Sequence, residues 1–263
     1  MASQSLLVWI IVFTALGGVL SVLAAGAFLL LPEQLRTRLM PWMVSFAIGA
    51  LLGAAFLALL PHALESLVKV EAHEIGLTVL LGLLGFFVLE KMVIWRHCHA
   101  HDCEAHGADL EHARAAASGK LILIGDGIHN LVDGVLIGAA FLTDIHLGIV
   151  TSVAVIAHEI PQELGDFAIL LNSGYSRGKA LLFNVLASLT TVVGGVVAYH
   201  SLSLAAGSLP YVLAIAASSF IYIAVADLIP GLHKRPSMGA TAQQIALIAV
   251  GVLVIYVSHA AMH

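Results

Sequence analysis

The sequence predicts an all-α integral membrane protein, an eight-helix transmembrane bundle with both termini extracytoplasmic. Three observations carry that expectation. The 263 residues are 60% hydrophobic and only 10% charged, where a soluble domain carries roughly 25%, and the mean hydropathy is +1.01. Eight apolar stretches are each long enough to cross a bilayer, which takes about 20 residues. The basic residues fall almost wholly on alternate connections between these stretches. So little sequence lies outside them that residues 1–263 read as a single transmembrane domain, with the lipid bilayer as its surroundings. The net charge of −5 with neutral His offers no basic footprint for nucleic acid.

The first stretch runs from about Ser5 to Leu31 and stops at Pro32. It has no basic region ahead of it and is too long for a cleaved leader, so it reads as a retained span. The second covers about Pro41 to Leu60, before Pro61, and the third about Ile75 to Trp95. The fourth, about Leu121 to Leu142, and the fifth, about Leu147 to Leu171, are the least apolar, but a short polar turn bounds each. The sixth covers about Ala180 to Leu204, the seventh about Tyr211 to Ile229 and the eighth about Gln244 to His259. Arg36, Arg38, Lys91, Arg96, Arg114, Lys120, Arg177, Lys179, Lys234 and Arg235 all lie on the connections that follow odd-numbered spans, and only Lys69 lies on another. Positive-inside bias puts the former in the cytoplasm and both termini outside. Glycines within spans, such as Gly49, Gly53, Gly82, Gly85, Gly194 and Gly195, read as close helix packing.

The fourth and fifth spans carry what lipid does not tolerate alone. His129, Asn130 and Asp133 sit at spacings of three and four, with Asp126 one turn earlier. These share one helix face. In the fifth span His158 and Gln162 are four apart, as are Glu159 and Glu163, and Asp166 follows. Ionisable groups at bilayer depth mark an ion path or a functional site. Opposed across a bundle core, the two faces would supply four to six nitrogen and oxygen ligands, which suit Zn²⁺, Fe²⁺, Mn²⁺ and similar cations. Pro161 interrupts the fifth helix and frees the carbonyl of Ala157, either as an ordinary kink or as a broken helix beside a site. Asp227, late in the seventh span, is either a further carboxylate facing the site or a polar residue at the interface, and His62 and Glu65 pose the same choice. His200 and His259 read as interfacial.

The connection after the third span, about 97–115, holds His97, Cys98, His99, His101, Cys103, His106 and His112. Cys98 and Cys103 are the only cysteines. No zinc-finger spacing is present, so the stretch reads as a flexible metal-collecting loop, or else as a solvated one.

HNLVDG at His129 to Gly134 and HEIPQELGDFAILL at His158 to Leu171 resemble the HNxxDG and HExPHExGD signatures of ZIP (Zrt/Irt-like) divalent metal transporters. The stretches at Ala50 to Glu65 and around Asp227 are similar to other segments of that family. The resemblance implies a binuclear-type site, with His129, Asp133, His158 and Gln162 at one metal and Asn130, Glu159 and Asp227 at or near a second. It also implies uptake toward the cytoplasm, commonly of zinc, with iron, manganese or cadmium as other cargo and no organic cofactor. A bacterial inner membrane or plasma membrane is the expected location, and a homodimer is an open assembly. The chain departs from the signature at Gln162, where the subfamily has His; a neutral amide is the weaker ligand for borderline metals. An intramembrane zinc-dependent hydrolase is the competing reading, since His158 and Glu159 begin an HExxH-like motif. Gln162 and Pro161 argue against it, and a metal sensor would need an output domain.

Overall fold

The structure, a computed structural model, describes residues 2–65, 70–98, 108–233 and 237–260; the side chains of 2–4, 90, 92–98, 108–121 and 206 fall outside that description. Eight helices follow one another among the described residues, with no strand. α1 runs Ala2–Ala15, widens into a π turn at Leu16–Leu20 and continues as Ser21–Phe28. α2 is Glu33–Ala54, a π turn at Ala55–Leu59, and Leu60–Leu64. α3 is Ala72–Cys98, α4 Ala108–Thr143, α5 Ile145–Asn172 and α6 Arg177–Leu202. After a short 3-10 turn, α7 is Leu209–Tyr222, a π turn at Ile223–Leu228, and Ile229–His233, and α8 is Met238–Ala260.

The eight expected stretches thus correspond to eight helices, but several ends differ. Pro61 and Pro230 do not end α2 and α7. A proline lacks the N–H that the carbonyl four residues earlier needs. Both helices absorb the defect by widening: the N–H of Leu60 bonds the Ala55 carbonyl and that of Ile229 the Ala224 carbonyl, each five residues back. α2 also begins eight residues before Pro41, because Pro32 stops α1 and the polar stretch after it is already helical. Pro161 breaks nothing, for α5 continues through it to Asn172. Among the described residues, seven helices are long and apolar enough to cross a membrane. α5 is not one of them. Its 28 residues span about 42 Å, but it carries His158, Glu159, Glu163 and Asp166, all buried.

Cross-helix contacts fix the relative directions. α4 and α6 run parallel: Thr190 Oγ1 donates to the Gly127 carbonyl at 2.7 Å, and higher up Gly138 lies against Ala198. A Cβ at Gly134 would land on the Thr191 carbonyl oxygen, and one at Gly194 on that of Leu131. Only glycine lets these backbones meet. α2 and α8 are parallel through Gly49 against Ile248 and Gly53 against Ile255. α3 and α7 are parallel through Tyr211, which donates to Glu74 at 2.9 Å, and Phe86 beside Tyr222. α5 runs back along α4, joined to it by Asp144 alone. The extended backbone of Asp144 caps α5, its carboxylate accepting from His146 N at 2.8 Å and Leu147 N at 3.1 Å. An apolar core of Ile10, Leu51, Phe141, Val155 and Phe220, among others, links α1, α2, α4, α5 and α7.

Two outcomes follow from this packing. Gly134→Leu overpacks the α4–α6 contact at a cost of about 1–3 kcal/mol, read as a lower thermal-unfolding midpoint in detergent; an unchanged midpoint contradicts the contact. Asp144→Ala removes the α5 cap and costs about 1 kcal/mol at neutral pH. Partial burial pushes the Asp144 carboxyl up, but the N–H groups of Leu147 and His146 outweigh it and hold it below the ordinary carboxylate range. Its stabilisation is therefore present above the ordinary carboxylate pKa and lost as pH falls through the lower folded value. The difference between native and variant midpoints should close in acid, and a difference independent of pH contradicts the cap.

Candidate metal centre

Asp133 stands one helical turn after His129 on α4, and His158 and Glu159 face them from α5. His158 Nε2 is 3.2 Å from Asp133 Oδ2 and 3.7 Å from Glu159 Oε1. His129 Nε2 is 3.3 Å from Glu159 Oε1 and 3.7 Å from Asp133 Oδ2. The two Nε2 atoms are 3.4 Å apart. A cation holding four tetrahedral donors at about 2.1 Å keeps them about 3.4 Å from one another. Five of the six separations among these two imidazole nitrogens and two carboxylate oxygens are thus 3.2–3.7 Å, close to the edges of a tetrahedral zinc-type shell, and the sixth is within 4.8 Å.

Hydrogen bonding sharpens the point. His158 Nδ1 lies 3.1 Å from the Ala154 carbonyl, which can only accept, so the proton sits on Nδ1 and the Nε2 lone pair faces inward. Neither carboxylate oxygen of Asp133 or of Glu159 has a hydrogen-bond donor. His158, Asp133 and Glu159 thus turn bare lone pairs toward one another and toward His129 Nε2. Asp133, His158 and Glu159 side chains are at most 1% exposed, while His129 is 22% exposed. Phe220 of α7 lies against the His158 ring, centroids 6.1 Å apart, and closes the site with an apolar face.

The other candidate residues fall elsewhere. Asn130 is buried, but its amide donates to Asp126 Oδ1 at 2.7 Å and its oxygen accepts from Thr191 Oγ1 at 2.7 Å. It ties α4 to α6. Gln162 is half-buried, one turn beyond His158 on α5. Asp227 lies on the α7 π turn and is exposed, on a cavity of about 200 Å³ that His129, Gly125 and Tyr222 also line. His62 and His259 meet each other, ring centroids 5.3 Å apart, where α2 and α8 end near the α4–α5 turn. His200 is on the surface near the end of α6. Of the His/Cys-rich stretch, 99–107 and the side chains of His97, Cys98 and His112 lie outside the described residues. Sequence reasoning missed Thr191 and Phe220. A Thr pair three residues before a Gly pair in an apolar span was the available signal for the first.

A family model described as ZIP zinc transporter matches residues 96–259, which takes in both helices of the site. The chain belongs to the ZIP zinc transporter family. It is 33% identical over 299 residues to zinc transporter zipt-7.2 of Caenorhabditis elegans, an alignment covering 92% of this chain and 64% of that protein. It is 30% identical over 259 residues to zinc transporter ZIP13 of Pongo abelii, covering 90% and 75%. Zinc transporter ZIP10 of Danio rerio matches at 38% over 138 residues, half of this chain but only 16% of that protein. The chain thus spans less than two thirds of the worm protein's length.

As a ZIP family member with seven helices apolar enough to span, the chain is a multi-pass integral membrane protein. The family and these relatives are described as transporters, which leaves the intramembrane hydrolase unsupported. The site itself also disfavours it. An HExxH base must stay free of the metal, whereas Glu159 stands among the four converging donors.

Thr191→Val in this ZIP family chain leaves the buried Asn130 oxygen without its donor, at a cost of about 1–3 kcal/mol. The thermal midpoint in detergent should fall accordingly; an unchanged midpoint would mean the α4–α6 tie is not structural.

Proposed function

We propose that this chain moves divalent metal cations, zinc foremost, across a membrane toward the cytoplasm through the site built by His129, Asp133, His158 and Glu159. The observation that carries the reading is the near-tetrahedral spacing of four donors, three of them buried. Two borderline imidazoles and two carboxylates suit Zn²⁺, and also Fe²⁺, Mn²⁺ and Cd²⁺ as alternative cargo. Ten residues separate Asp133 from the end of α4, so the site lies about 15 Å from that end, near the middle of a bilayer core.

Each of the remaining candidates takes a narrower role. Gln162 extends the α5 donor face by one turn as a weak ligand. Asn130 acts through helix position, as its hydrogen bonds to Asp126 and Thr191 support. Asp227 shares a cavity with the exposed edge of His129 and attracts the cation on its way to or from the site. Membrane orientation rests on the basic connections. Alternating helix directions support eight spans, α5 included, with both termini on the outer side. The His-rich stretch at 97–115, which takes in the end of α3 at Cys98 and the start of α4 at Ala108, would then be cytoplasmic and take up released metal. Rearrangement of the helices against one another gives access from each side in turn.

Uptake into proteoliposomes holding a metal-sensitive dye tests this. His158→Ala or Asp133→Ala should reduce zinc uptake at least a hundredfold at equal reconstitution, and Gln162→His should change the order among zinc, manganese, iron(II) and cadmium. Uptake at the native rate in either alanine variant refutes the site.

A further inference from the structure

Beyond the four converging donors, the same bundle buries a second polar group that they do not use. Asp126 on α4, Glu163 and Asp166 on α5, and Asn184 on α6 are 4%, 0%, 7% and 0% exposed. Their heights agree. α5 runs back along α4 with Glu159 beside His129, so one turn onward Glu163 reaches the level of Asp126. Leu170 of α5 shares an apolar cluster with Ala180 of α6 and Leu123 of α4, which sets Asn184, one turn along α6, level with Asp166. The carboxylates of Asp126, Glu163 and Asp166 are near enough to act on one another electrostatically, but their oxygens do not all close to within 4.8 Å as the first four donors do, so a cation there would draw them inward.

What this group lacks is compensation. Both oxygens of Glu163, Oδ2 of Asp126 and both side-chain amide atoms of Asn184 have no hydrogen-bond partner among the described residues. No Lys or Arg occurs anywhere from 121 to 176. Asp126 Oδ1 accepts from Asn130, but Glu163 has no donor on either oxygen, and buried carboxylates so sparsely compensated are costly inside an apolar bundle. Their donors are all oxygen, unlike the imidazole-containing set one turn away, and all-oxygen shells favour harder divalent cations such as Mn²⁺.

We propose that Asp126, Glu163, Asp166 and Asn184 form a second divalent-cation station, with all-oxygen ligation, about 5–10 Å along α5 from the first. Its place on the metal's path rests on the transport reading above; its capacity to bind does not. A cation leaving the imidazoles toward the Lys- and Arg-rich connections meets this station next.

The test is Mn²⁺ binding to the purified full chain in detergent, read from loss of the free-ion signal in electron paramagnetic resonance, after one equivalent of zinc has been bound. The native chain should take up one further Mn²⁺. Asp126→Asn with Glu163→Gln should weaken that Mn²⁺ binding at least tenfold while still binding one zinc, which also reports a folded chain. Should the double variant fail to fold, Glu163→Gln alone keeps the side-chain volume and should show the same weakening. His158→Ala should lose zinc and keep Mn²⁺. No Mn²⁺ bound by the zinc-loaded native chain, or Mn²⁺ binding unchanged in the carboxamide variants, overturns the proposal. A native chain that binds Mn²⁺ in a manner sensitive to Glu163 but binds no zinc would instead sink the first site and leave this one standing.

Discussion

Everything in this bundle answers to the convergence of lone pairs between α4 and α5. His129, Asp133, His158 and Glu159 bring four electron-rich atoms within 3.2–3.7 Å along the contacts between imidazole and carboxylate, with no cationic side chain from 121 to 176 to offset them. Such an arrangement repels itself, and in an apolar surround the repulsion is scarcely screened. Helix propensity cannot hold it. The restraint comes from outside the pair. α6 lies on α4 through backbone-to-backbone contact at Gly134 and Gly194 and through the Asn130–Thr191 hydrogen bond, while α1 and α2 press on α5 through the shared apolar core. The surrounding helices thus hold the four donors together against that repulsion.

Much of this was legible because the bilayer writes strongly in sequence. A 20-residue apolar run is hard to mistake, and even the least apolar helix, α5, was readable from the polar turns that bound it. The four donors were legible for the complementary reason: His and carboxylates at spacings of three and four have no inexpensive explanation in a span. Helix ends were less so. Pro61 and Pro230 look like terminators, and only the three-dimensional ladder shows each helix widening by one residue to pass them. Asn130 illustrates a different gap. Its place on the donor face marks it as a ligand, but the deciding fact is Thr191, sixty-one residues away, and nothing local to either residue announces that pairing.

Asp227 shows the limit of one-dimensional patterns most plainly. A carboxylate near the end of an apolar span fits either a ligand or an interfacial residue. The π turn that carries it rotates that part of α7 relative to a regular helix, and the side chain emerges on a cavity it shares with His129. Single π turns often accompany functional sites. Here the turn exists because Pro230 follows, so a backbone defect sets where a charge points.

The turn at Asp144 has a mechanical meaning. With a single residue between them, the two donor helices are tethered like the arms of a pair of tongs and can part only at their far ends. The donors sit roughly a third to a half of the way along, about 15–20 Å from the pivot. Opening the arms by about 5° would separate the two imidazoles by more than 1 Å at that radius, several times the tolerance of about 0.2 Å that metal–ligand distances allow. A slight change of angle would then be enough to split the four donors into two pairs.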